Sequence, residues 1–306
     1  MTGGGRRSGS LALVLLLLAL TGCAGGGAPV PDSASARPGP ETPVGQPAAD
    51  HVVVIVEENE PASAIMGDPA APYLNSLARS GATATRYSAI RHPSLPNYLA
   101  LTSGTTAGHT TDCAPDGCPA GVPSIAGSLT GAGRSWRFYG ESMPAPCFRS
   151  NSGEYAVRHD PFVYYPEVTG DPAACARHVV PFSRFAPDLA GGRLPAFSFI
   201  SPNVCNDMHD CPVATGDRWL ARQVPAILAS RPFRTQRSLL VVVFDEGRRA
   251  DNVVPVVFAG PLARAGATSS RPYTHYSLLR TIESLLGLPP LTGNDRSAAV
   301  MTDLLR

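Results

Sequence analysis

Two acidic dipeptides follow two apolar, β-branched-rich runs of the same kind. Val52–Val56 leads into Glu57-Glu58-Asn59, and Leu239–Phe244 leads into Asp245-Glu246-Gly247. In α/β sheets, ligands bind beyond the carboxyl ends of the strands. Four carboxylates gathered at one sheet edge would repel one another and hold their protons unless a cation compensated them. Carboxylates joined by the Asn59 amide form an all-oxygen set suited to one hard divalent ion, Mg²⁺, Ca²⁺ or Mn²⁺. Either dipeptide alone reads as turn or helix-capping acids; both together, on matched strands, point to a metal.

Three further segments carry groups that could work beside such an ion. In Arg91-His92-Pro93-Ser94-Leu95-Pro96-Asn97-Tyr98, a serine lies between two prolines just ahead of a helix start, where backbone N–H groups point outward and favour an anion. Read alone, Ser94 is an N-cap residue; beside a metal that lowers its pKa, its hydroxyl is a nucleophile. Ser201-Pro202-Asn203-Val204-Cys205-Asn206-Asp207-Met208-His209-Asp210-Cys211 follows a strand and is dense in polar groups, which suits either a site or a disulfide-stapled turn. Thr274-His275 opens the last long helix, where the dipole disfavours imidazolium and keeps His275 neutral.

The elements that must position these groups alternate in type. Strands are expected at His51–Glu57, Thr83–Ser88, Ser135–Tyr139, Leu194–Ser201, Ser238–Phe244 and Val253–Ala259. Helices are expected at Tyr73–Ser80, Pro96–Ser103, Ile125–Leu129, Asp217–Ser230 and Tyr276–Leu286, several of them closed by glycine. Alternation with fully apolar strands predicts an α/β sheet covered by helices on both faces, a three-layer α/β/α sandwich. Between Trp136 and Phe185 lie ten of the 21 aromatic residues, in a Pro-rich stretch carrying Cys147 and Cys175. That composition suits a disulfide-tied cap segment over a pocket or, equally, a small local core.

The N-terminus reads as an address. Arg6 and Arg7 precede Leu11–Leu20, a run too short to span a bilayer but right for a signal-peptide core. Leu20-Thr21-Gly22-Cys23 closes it in a lipoprotein pattern, so residues 1–22 are expected to be removed and Cys23 to carry lipid. Residues 23–49, rich in Pro and Gly with no aromatic residue, read as a disordered tether reaching about 28 Å. The expected location is therefore the outer face of the cell membrane, or the medium beyond it. Residues 50–306 are expected to form one catalytic domain. Six cysteines remain after Cys23, an even number that favours three disulfides in an exported chain, with Cys205–Cys211 the preferred local pair. The 306 residues carry 25 basic against 24 acidic side chains and no lysine at all, which excludes nucleic acid as the main partner. A mean hydropathy of zero excludes a polytopic membrane protein.

Taken in order, HVVVIVEEN, HPSLPNYLALTSG, RHDPF, SPNVCNDMHD, VVVFDEG and THYSLLRTIE resemble the bacterial phosphoesterase family that contains acid phosphatases and phospholipases C. The resemblance spans about His51 to Leu305. It implies an alkaline-phosphatase-like fold in which a phosphoserine forms and is hydrolysed beside bound metal. It implies Glu58, Asn59, Asp245 and Glu246 as metal ligands, Ser94 as nucleophile, and Asn97 placed to hold a phosphate oxygen. His159, Asp207, His209 and His275 fall in motifs lining the phosphate site, His209 or His275 serving acid–base transfer, with His92 a weaker contributor. The expected activity is phosphomonoester hydrolysis of acid-phosphatase type, on small phosphate esters or phospholipid headgroups, phosphoinositides among them. A phospholipase C-type phosphodiesterase and a non-catalytic phosphate- or lipid-binding lipoprotein are the alternatives.

Overall fold

A computed structural model of the chain describes residue 1, residues 48–248 and residues 252–306. Beyond residue 1, the expected signal segment, Cys23 and the expected tether up to residue 47 lie outside the described residues. Contacts divide the chain between Thr42 and Pro43, and every strand and helix described belongs to the unit Pro43–Arg306. Ala49 is fully buried and donates its N–H to Leu285 O at 2.8 Å. Among the described residues no helix is long and apolar enough to cross a membrane.

Among the described residues ten strands are present: β1 His51–Glu57, β2 Ala82–Ala84, β3 Tyr87–Ser88, β4 Trp136–Gly140, β5 Val179–Pro181, β6 Phe197–Ser201, β7 Ser238–Phe244, β8 Val256–Ala259, β9 Ala267–Ser269 and β10 Tyr273–Thr274. Eight form one mixed sheet in the order β5-β4-β6-β1-β7-β8-β2-β9, and β10 pairs with β3 apart from it. The five strands from β5 to β7 run parallel, whereas β8 is antiparallel to both neighbours. β1 and β7 are apolar on both faces and bury every residue except His51, as strands between two helical layers must. One helical group joins Ser94–Ser103 to His275–Leu286, and the other joins Pro72–Ser80 to Val213–Leu228. The expected α/β sheet covered by helices is thus observed.

The helix expected at Asp217–Ser230 spans Val213–Leu228, and proline or a turn explains the other main differences from expectation. The strand expected from Leu194 begins at Phe197, and the one expected from Val253 begins at Val256, because Pro195 and Pro255 offer no N–H to a ladder. Thr83–Ser88 splits: β2 joins the main sheet, while β3 turns away to pair with β10 and buries Tyr87. The helix expected from Pro96 begins two residues earlier, at Ser94, with Pro96 in its first turn, where a missing N–H costs nothing. The three disulfides are Cys113–Cys118, Cys147–Cys175 and Cys205–Cys211. Around Cys147–Cys175 the aromatic stretch packs inward: Phe138, Phe162, Tyr164 and Tyr165 are fully buried, and Phe162 stacks on Trp136 at 5.1 Å between ring centres.

The Ser94–Ser103 helix is held at its far end by the C-terminal segment. Gly104 closes it with a left-handed φ of 70°, and a Cβ there would lie 2.7 Å from Asp295 Oδ1. The Gly104 carbonyl accepts from Thr292 Oγ1 at 3.0 Å and from Asn294 Nδ2 at 2.9 Å. Asp295 in turn accepts the backbone N–H of Leu291 and Thr292, and beside it lies Glu283. Burial first, and then the Asp295 charge, push the Glu283 carboxyl up to about 9. Glu283 is therefore protonated when folded and ionised when unfolded across the neutral range, so its contribution is complete below the ordinary carboxyl range and is lost as pH climbs toward 9. We predict that Glu283→Gln flattens the decline of unfolding free energy between about pH 5 and 9 by up to about 1.4 kcal/mol per pH unit, measured by urea unfolding; an unchanged slope would show that Glu283 ionises normally.

Candidate functional site

Parallel register between β1 and β7 puts the two acidic pairs at one edge. Glu57 pairs with Phe244, so Glu58 and Asp245 leave neighbouring strands side by side. Asp245 donates its N–H to Glu57 O at 3.0 Å, and Asn59 donates its own to Asp245 Oδ1 at 3.2 Å. Ser94 arrives from the first turn of its helix, directly after Pro93, and is 2% exposed. Its hydroxyl donates to Glu58 Oε2 at 3.1 Å. The next residue, Leu95, donates its N–H to Asp112 Oδ1 at 2.9 Å. The disulfide-closed loop Cys205–Cys211 is fastened to the same edge, because Glu58 donates its N–H to Asp207 O at 2.8 Å.

The electrostatics of this edge are unfavourable as a set of bare acids. Burial is the main cause raising Glu58 well above the carboxyl range, with the charges of Asp245 and Asp207 adding to it. Burial likewise raises Asp245 to about 7 and Asp207 to about 8; burial and then the Asp245 charge raise Glu246 to about 9. His159 is pushed down by burial and then by the positive charge of Arg158, and so is a neutral imidazole. It lies between two acids, with Nε2 3.2 Å from Glu58 Oε1 and Nδ1 3.2 Å from Asp207 Oδ2, and its ring stacks on Tyr98. None of these four atoms has a hydrogen-bond partner of proper geometry, and Asp245 Oδ2 is equally orphaned.

Glu58, His159 and Asp207 offer ligand atoms within 4.8 Å of one another. Buried, unpartnered carboxylate oxygens around a neutral imidazole are the donor set of a divalent cation, which would supply the missing partners and the compensating charge. The residues fit such an ion. The set differs from the sequence-based one: His159 and Asp207 join Glu58, with Asp245 adjacent. Glu246 instead spends Oε2 on His92 Nδ1 at 3.0 Å and Asn97 Nδ2 at 3.2 Å. The Asn59 side-chain amide points to Glu58 Oε2 at 3.4 Å.

Other expected residues are placed behind the site. Asn97 Oδ1 accepts from the N–H groups of Ile90 and Arg91, and its Nδ2 serves Arg91 O, Pro93 O and Glu246, so it shapes the loop before Ser94 and has no donor left for a phosphate oxygen. His275 is fully buried, Nε2 at 2.5 Å from the Asp245 carbonyl and Nδ1 at 2.8 Å from Tyr87 OH. Burial lowers it to about 4, so it braces Asp245 as a neutral ring. His209 stays partly open, with Nδ1 2.6 Å from Asp210 Oδ1 and Nε2 3.1 Å from Arg158 Nη2. Two residues at this edge escape a sequence reading. Arg158, whose charge bears on Glu58, Asp207 and Glu246, is signalled only by its place before His159 in RHDPF. Asp112 carries no signal of its own.

The Phosphoesterase family profile matches residues 67–289. The phosphatidylinositol-3-phosphatase of Mycobacterium tuberculosis is 39% identical over 260 residues, covering 84% of this chain and 83% of that protein. The phosphate-repressible acid phosphatase of Penicillium chrysogenum is 33% identical over 229 residues, covering 71% of this chain and 55% of the relative; the chain thus spans about half the length of that fungal enzyme. Among solved structures, a protein of the alkaline phosphatase superfamily from Vibrio parahaemolyticus superposes with a TM-score of 0.60 at 14% identity, covering 86% of this chain and 73% of its own. A phosphonate monoester hydrolase of Agrobacterium radiobacter gives 0.54 at 14% identity, with 85% and 77% covered. These two show a shared fold.

The orphaned donors make a direct expectation. His159→Ala and Asp207→Asn each weaken Mn²⁺ binding by at least about tenfold in isothermal calorimetry of the apo-protein. Wild-type affinity in both variants would remove the buried trio as the cation site.

Proposed function

The chain belongs to the phosphoesterase family and is a phosphoric ester hydrolase, and from that premise we propose that it is an exported phosphomonoesterase in which Ser94 is transiently phosphorylated. One observation carries the reading: the buried Ser94 hydroxyl is hydrogen-bonded to a carboxylate, Glu58, inside a cluster of acids too crowded to be ionised unaided. A capping serine such as Ser124 can also donate to a carboxylate, Glu167, but it accepts the Gly127 N–H as well, whereas the Ser94 helix has no side-chain capping bond and the acceptor of Ser94 lies inside the acid cluster.

In the proposed reaction the Ser94 oxygen attacks phosphorus, the Oγ–P bond forms, and the P–O bond to the alcohol breaks on the opposite side. Glu58 Oε2 is the acceptor in place for the hydroxyl proton, provided a cation compensates the cluster so that its carboxyl is ionised. The leaving alkoxide takes a proton from the open edge, where His209 and His92 are imidazoles not locked away by burial. Water then cleaves the phosphoserine by the reverse geometry and restores the hydroxyl. A divalent ion held by Glu58, His159 and Asp207, with Asp245 beside them, would stabilise negative charge on the serine and phosphoryl oxygens. Carboxylates with one imidazole suit Mn²⁺ as well as Mg²⁺ or Ca²⁺ and admit Zn²⁺.

The relative named a phosphatidylinositol-3-phosphatase covers most of both chains, which supports phosphate monoesters, phosphoinositides among them, as substrates. Three disulfides support an oxidising compartment. Export through residues 1–22 and anchoring through lipid on Cys23, ahead of a tether, complete the proposal. Ser94→Ala lowers kcat for p-nitrophenyl phosphate by at least about a thousandfold while circular dichroism stays unchanged, and wild type prefers that monoester to bis-p-nitrophenyl phosphate. Turnover retained in Ser94→Ala would end the serine mechanism, and a preference for the diester would make the chain a phosphodiesterase.

A further inference from the structure

A cavity of about 230 Å³ opens beside the site, lined by Asp112, Cys113, Ala114, Ser150, Asn151, Val157 and Arg158. Two of its walls are already tied to the reacting edge. Asp112 accepts the N–H of Leu95, the residue following Ser94, and Arg158 reaches His209 Nε2 at 3.1 Å. The same two side chains face each other across the boundary, Arg158 Nε lying 3.6 Å from Asp112 Oδ2. The position is fixed from both sides, by the Cys113–Cys118 disulfide and by Asn151 Oδ1, which accepts the Val157 N–H at 2.9 Å.

We infer that this cavity is the leaving-group subsite, that it takes a compact hydroxylated group such as a ring polyol or sugar, and that Arg158 is the specificity-determining residue between that group and the phosphoryl position. The inference rests on the phosphatase reading and adds the substrate class to it. Size is compatible: a space of about 230 Å³ can seat one six-membered polyol ring. Chemistry sets the limit. Asp112, Ser150, Asn151 and Arg158 offer both donors and acceptors, while Ala114, Val157 and the disulfide give a small apolar face and, among the described residues, no aromatic side chain lines the space. An aryl leaving group finds no ring to stack on there, whereas ring hydroxyls find partners. A guanidinium at the boundary can hold a phosphoryl oxygen and a neighbouring hydroxyl together, because its five N–H groups fan out in one plane.

Ala114→Phe and Ser150→Tyr, both at exposed positions, fill the cavity from opposite walls. The measured quantity is the ratio of kcat/KM for a soluble polyol monophosphate to kcat/KM for p-nitrophenyl phosphate, in variants whose near-ultraviolet dichroism matches wild type. Both variants are expected to lower the ratio at least tenfold, and Arg158→Lys to lower it through KM. A second arm presents the same headgroup on a lipid in phosphatidylcholine vesicles; loss in both arms places the headgroup in the cavity, and loss in the lipid arm alone contradicts the proposal. A ratio unchanged in both filling variants overturns the subsite while leaving phosphatase activity standing. Absence of turnover of any ester by wild type overturns the phosphatase reading itself.

Discussion

Buried like charge is the constraint around which this molecule is organised. Glu58, Asp207 and Asp245 meet at the carboxyl ends of two neighbouring strands, almost without water, and burial raises each above its ordinary carboxyl range. A fold gains no stability from such an arrangement; removing it would relieve desolvation and repulsion together. Its presence beside a buried serine hydroxyl, with orphaned oxygens and a neutral imidazole pressed between two acids, fits the proposed chemistry, in which a cation and a phosphoryl group would supply and use the missing charge.

The rest of the fold keeps that edge rigid. β1 and β7 hold Glu58 and Asp245 in register through a parallel ladder whose residues are buried on both faces. The Ser94–Ser103 helix is fixed at its start by Asn97, which gathers the preceding loop, and at its end by the Gly104 contacts with Thr292 and Asn294. His275 carries the last long helix up against the Asp245 carbonyl. The Cys205–Cys211 loop brings Asp207 and His209 to the same place. These tertiary supports hold the Ser94 hydroxyl 3.1 Å from the Glu58 carboxyl.

Much of this was legible in the residues because the signals are local. Unbroken runs such as Val52–Val56 and Ser238–Phe244 can be little other than buried strands, and acids directly after them must lie at a sheet edge. Cysteines six positions apart announce their own pairing. What the residues could not show is direction. Asn97 and His275 occupy the expected motifs, yet Asn97 turns into its own loop and His275 turns behind Asp245, a choice made by neighbouring Ile90 and by Glu246 and Tyr87 from distant parts of the chain. His159 reads as one more phosphate-site histidine until the fold inserts it between Glu58 and Asp207. Arg158 and Asp112 acquire meaning only from each other, 46 positions apart in sequence and 3.6 Å apart in space.

The central claim, that the Ser94 oxygen forms the bond to phosphorus, is tested most directly by trapping that bond. Full-length enzyme turning over a monoester at mildly acidic pH is quenched in acid, digested and read by peptide mass spectrometry. The account predicts a phosphate on the Ser94 peptide, at a level that falls when substrate is exhausted. Rapid turnover with every peptide unmodified, or with phosphate on another side chain, would contradict it.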